Sequence, residues 1–88
     1  MTRKLQFLDQ PPIASELTDY DRAHLGIYLR LLDAQDEGAA WQEVAKVIFG
    51  IDPKNEFARA KRVYENHLAR AHWMTENGFR ALIRSSYH

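Results

Sequence analysis

The sequence predicts an all-α fold: a compact helix-turn-helix bundle of three main helices, closed by a short C-terminal helical turn. Three observations predict it. Apolar residues recur at helical spacing over residues 20–32, 41–48 and 57–71. Gly50-Ile51-Asp52-Pro53 places turn chemistry between the second and third of these runs. Gly38 and Asn77-Gly78 punctuate the chain where the other runs stop. Eighty-eight residues make one domain of a size that buries roughly 60–65% of its unfolded surface. We divide it into an N-terminal, partly flexible arm (1–17), a helix-turn-helix domain (18–84) and a frayed tail (85–88).

In the arm, Pro11-Pro12 stops any helix. An extended segment is expected there, with Phe7, Leu8 or Ile13 available to dock on the helices. Thr18-Asp19-Tyr20-Asp21 opens the first helix, because Thr18 or Asp19 can cap the free amides and early acids suit the positive end of the helix dipole. This helix is expected to reach about Gln35. It carries two apolar stripes, Leu25, Tyr28, Leu29, Leu32 and Tyr20, Ile27, Leu31, where an outer helix needs one. The second stripe either packs under another segment or forms an exposed patch for a protein partner. Asp33, Asp36 and Glu37 end the helix. They form a solvated charge cluster or, in the sharper reading, an acidic lure for a basic surface.

The second helix is expected from Trp41 to Phe49, with Trp41, Val44, Ala45 and Ile48 on one face and Gly50 as its left-handed stop. The long third helix is expected from Asp52-Pro53 to about Thr75, capped by Asp52 or Asn55. At about 100° per residue, Phe57, Ala60, Tyr64, Leu68 and Ala71 project to a core face. Arg59, Arg62, Asn66, Arg70 and Trp73 project to the opposite side. Phe79, Leu82 and Ile83 supply the closing helical turn.

The chemistry on offer is narrow. There is no cysteine, which excludes a disulfide framework and a thiolate metal site and fits a reducing cytoplasm. The serines are Ser15, Ser85 and Ser86, none in a nucleophile elbow. His67 and His72 are five residues apart, on different sides of a helix. No Gly-rich phosphate loop is present. No apolar run approaches the ~20 residues of a membrane span. An enzyme is therefore not expected, nor a cofactor, a metal or a membrane partner. The candidate partner or DNA face is Arg59, Arg62, Asn66, Arg70 and Trp73, since Arg and Asn grip phosphates or read base edges. The candidate protein-partner patch is Tyr20, Ile27, Leu31, Asp33, Asp36 and Glu37.

Net charge is zero, but unevenly spread. Residues 9–52 hold three basic against nine acidic side chains, and residues 54–84 hold seven basic against three acidic. Either half can serve as a binding surface, or the two neutralise each other across the fold.

The segment Ala40-Trp41-Gln42-Glu43-Val44-Ala45-Lys46-Val47-Ile48-Phe49-Gly50 resembles the second-helix block of the domain-of-unknown-function family numbered 2285. The likeness continues through Ala58-Arg59-Ala60-Lys61-Arg62-Val63 and Gly78-Phe79-Arg80-Ala81-Leu82, covering about residues 17–84. The resemblance implies a helix-turn-helix regulator. The short single domain is similar to a small stand-alone antiactivator of rhizobial integrative and conjugative elements. Such a protein binds activators, including a LuxR-type quorum-sensing regulator, and represses excision and transfer genes. Two departures, Ala40 for an expected Ser and Glu65-Asn66-His67 where arginines are expected, set this chain apart from DNA-binding members. With the neutral charge and acidic first half, they favour a protein partner, a transcriptional activator, over DNA. The alternative is a direct, sequence-specific DNA-binding regulator that uses the long basic helix.

Overall fold

Thr18 opens the helical part of the chain with a reciprocal cap. Its hydroxyl accepts the Asp21 amide at 3.2 Å, and the Asp21 carboxylate accepts the Thr18 amide at 2.9 Å. The computed structural model describes residues 7–78. Among them the fold is all-α, as the sequence predicts. It comprises α1 (Asp19–Ala23), α2 (Leu25–Asp36), α3 (Trp41–Val44) and α4 (Phe57–Trp73). A π-helical turn, Ala45–Phe49, continues α3, and another, Met74–Gly78, continues α4. The expected helical turn at Phe79, Leu82 and Ile83 and the tail 85–88 lie outside the described residues.

Element boundaries differ from expectation in two places. The first helix is broken at His24, whose backbone (φ −115°, ψ 18°) leaves the helical region. The third helix begins later than Asp52-Pro53. The Asp52 carboxylate accepts the Lys54 amide at 2.9 Å, and its carbonyl accepts the Asn55 and Glu56 amides at 3.1 and 2.9 Å. These bonds close a self-contained turn and leave α4 to start at Phe57 without a side-chain cap. Gly38 and Gly50 both take positive φ, 75° and 68°, and end α2 and α3 in left-handed stops.

The core sits where α2, α3 and α4 meet. Ile27 and Leu31 of α2 join Val44, Ala45 and Phe49, then Ile51, Ala60 and Val63, in one buried cluster. Tyr28, Ala71 and Met74 form a second cluster toward the far end of α4. The segment from Phe7 to Leu17 has no regular secondary structure and lies against α4. Phe7 packs on the first cluster and Pro11 is buried, whereas Leu8 and Ile13 are exposed. No helix among the described residues is long and apolar enough to cross a membrane.

Candidate DNA-binding interface

Burial along α4 defines which side of the helix is free. Ala60, Val63, His67, Arg70 and Ala71 are buried. Phe57, expected on the core face, is exposed, as are Ala58, Lys61, Arg62, Glu65, Ala69 and His72. At about 100° per residue the exposed set spans an arc of about 140° and the buried set one of about 100°, on opposite sides. The arginine face read from sequence lies roughly a quarter-turn away, on the flank between them. That flank is where the N-terminal segment packs.

Each predicted site residue can be placed. Arg62 is exposed and reaches the Asp9 carboxylate at 3.5 Å. Arg59 is half-exposed, with Asp9 at 3.2 Å and Glu56 at 3.4 Å. Asn66 and Trp73 are half-buried and border a crevice closed by residues 10–15. Arg70 does not belong to a binding face. It is buried, and its guanidinium lies 3.8 Å from the centre of the Trp73 ring. It donates to both oxygens of Asp21, at 3.0 and 2.6 Å, and to the carbonyls of Ala14 and Glu16, at 2.7 and 2.9 Å. The physical reason is compensation: Asp21 is wholly buried, and a buried carboxylate requires a paired cation.

Asp21 completes its shell with the Tyr28 hydroxyl, which donates at 2.8 Å, and with Thr18. Burial pushes its carboxyl upward. The hydrogen bonds from Arg70, Thr18 and Tyr28 outweigh burial and hold it at about 2. Burial, reinforced by the bond to Asp21, raises the Tyr28 phenol. Sequence reasoning missed this lock. The available signal was the spacing of Val63, His67, Arg70, Ala71 and Met74, an unbroken helical stripe if its two polar members are allowed inside.

The proposed protein-partner patch does not assemble. Ile27 is 5% exposed and Leu31 fully buried, because α4 and α3 cover that side of α2. Tyr20 is half-buried, its hydroxyl 2.6 Å from His67 Nε2. His67 Nδ1 lies 2.8 Å from the Val63 carbonyl, so it carries the hydrogen and Tyr20 donates to Nε2. Burial lowers the His67 pKa, which favours this neutral ring. Asp33, Asp36 and Glu37 are exposed at the end of α2, but as an acidic cluster without the apolar stripe beside it.

What remains accessible is the helix-turn-helix itself. Gln42, Glu43 and Lys46 of the second helix face the turn residues Asp52, Pro53 and Lys54 and the first residue of α4, Phe57, across a shallow cleft. Trp41 packs edge-on against Phe57 at 5.3 Å and near Tyr64 at 6.2 Å, locking α3 to the start of α4. The exposed cations at this end are Lys46, Lys54, Lys61 and Arg62, the last paired with Asp9, with Asn55 among them.

A family model described as "T6SS, Transcription factor, DNA binding domain" matches residues 1–84. The chain belongs to this family, the RovC DNA-binding domains. No curated protein matches the chain. Membership makes it a transcription-regulator domain of the DNA-binding kind, in a family of binding domains and not of enzymes. It also overturns the preference for a protein partner drawn from neutral charge. The RovC family points to DNA as the partner. Total charge misled because it sums over the whole chain, whereas binding responds to the charge on one face. The buried Asp21–Arg70 pair cancels internally, and Asp33 and Glu37 border the second helix on the side of Glu43 and Val47.

Proposed function

We propose that this domain binds duplex DNA directly, with the first turns of α4 in the major groove and α3 crossing the backbone. The observation that carries the reading is the accessible start of α4. Ala58, Lys61, Arg62 and Glu65 face outward, with Lys54 and Asn55 at the preceding turn, on a helix held against α3 by the Trp41–Phe57 contact. In helix-turn-helix proteins the N-terminal residues of the second helix meet base edges, while neighbouring cations hold phosphates. Asn55 is the side chain suited to a base edge, by the adenine preference of Asn. Lys46, Lys54, Lys61 and Arg62 are the phosphate contacts. Arg59 joins them at the edge of the face, and Asn66 and Trp73 lie outside it. T6SS promoters are the first targets to examine, following the family's description.

Fluorescence anisotropy on labelled duplexes at low salt tests the reading. Binding is expected, with Lys61→Ala and Arg62→Ala each weakening it about three- to tenfold, as loss of one charged contact does. A wild-type protein that leaves all duplexes free at micromolar concentration and low salt overturns it.

A further inference from the structure

The N-terminal segment meets α4 where DNA would be gripped. One carboxylate oxygen of Asp9 lies 3.2 Å from Arg59 Nε, and the other lies 3.5 Å from Arg62 Nη2. Both arginines stand in the first two turns of α4, the part that enters the groove in the reading above. A carboxylate and a phosphate offer a guanidinium the same feature, paired anionic oxygens that accept N–H groups.

Asp9 is held there from both sides by contacts that do not involve its own charge. Before it, the Phe7 ring packs edge-on against Phe49 at 5.0 Å, and the Leu8 amide donates to the Tyr20 hydroxyl at 3.0 Å. After it, Pro11 is buried, and Arg70 grips the carbonyls of Ala14 and Glu16. The ion pairs themselves are weak and displaceable, since Asp9, Arg59 and Arg62 are each about two-fifths or more exposed.

We propose that Asp9 is an intramolecular competitor for the DNA backbone. It occupies Arg59 and Arg62 in the free protein and yields them to phosphates on binding, so it sets the affinity of the whole domain. The inference rests on the DNA-binding reading. It adds that the free domain is partly self-inhibited by its own N-terminal segment.

The test is a binding cycle on the full chain, with a labelled duplex at low salt and far-UV circular dichroism to confirm folding. Asp9→Asn keeps the shape and removes the charge. It is expected to tighten binding about three- to tenfold, the range set by two exposed ion pairs. Removing an acid near DNA also tightens binding through general repulsion, so the cycle includes Arg59→Ala/Arg62→Ala. In that background Asp9→Asn is expected to change affinity less than about twofold. The exposed Asp19→Asn serves as a charge control, with no comparable gain expected. If Asp9→Asn weakens or leaves affinity unchanged, or tightens both backgrounds equally, the competitor role is wrong while DNA binding stands. Binding by Asp9→Asn alone supports the competitor role. If neither protein binds any duplex, the DNA reading fails and this inference falls with it.

Discussion

Arg70 spends four of its five N–H donors on hydrogen bonds inside the fold and is itself buried. Arg70→Ala strands Asp21 as a buried, uncompensated charge, and a loss of about 3–5 kcal/mol is expected in denaturant titrations. That is a large share of the total for a domain this small. A variant that unfolds like wild type but no longer binds DNA would return Arg70 to the interface. The same pair governs acid behaviour. The folded Asp21 carboxyl stands at about 2 against 3.8 for an ordinary aspartate. A depressed pKa contributes stability that is present above the unfolded value and lost as pH falls toward the folded one. About 2 kcal/mol is therefore expected to disappear between roughly pH 4 and pH 2. His67 acts at higher pH. Its folded pKa lies below 6.5, so the neutral ring supports the fold fully above that value and progressively less as pH falls below it. Melting temperature followed from pH 8 to pH 2 is expected to fall in two stages, and His67→Gln to remove the first. A single transition below pH 4 in both proteins would show that His67 is not coupled to folding.

At the scale of elements, two glycines make opposite predictions. Gly50 ends the second helix at φ 68°, with no atom near the position of an added Cβ. Its cost on substitution is therefore conformational, and Gly50→Ala is expected to destabilise by about 1–2 kcal/mol. Gly26 sits in α2 with the same open space and no positive φ. There Gly26→Ala is expected to stabilise by about 0.5–1 kcal/mol, since the gain in helix propensity meets no clash. Thermal denaturation of the two variants side by side checks both signs; equal shifts would mean the turn after α3 is not the left-handed one. The Trp41–Phe57 contact joins the two helices on either side of that turn. Because Trp41 is half-buried, the alanine variant is expected to cost less than a fully buried tryptophan would.

For the whole molecule, the decisive quantity is the number of phosphates neutralised. Lys46, Lys54, Lys61 and Arg62 are exposed at the helix-turn-helix end. Four such contacts give a slope of log K against log salt of about −3 to −4, reduced in magnitude by about 2 in Lys61→Ala/Arg62→Ala. A slope near zero would rule out backbone neutralisation as the source of affinity. The zero net charge of the chain does not conflict with this expectation, because binding responds to the charge on one face.

The amino-acid sequence by itself determined the architecture. Its apolar spacing, the Thr18 cap and the left-handed Gly38 and Gly50 are local signals, and local backbone preference is enough to place the helical runs and these stops, but not the break at His24 or the later start of α4. The chain of Trp41, Gly50 and the long helix was legible for the same reason. Only the tertiary structure decided which side of α4 is free. Two polar residues, His67 and Arg70, complete its buried stripe, and a reading that sends polar side chains outward rotates the helix by about a quarter-turn. Their partners are Tyr20 and Asp21, some fifty positions away. Such pairing depends on how segments meet in space, and no periodicity within one segment reveals it. The same holds for Asp9, whose place against Arg59 and Arg62 follows from Phe7 and Pro11 docking on the folded helices.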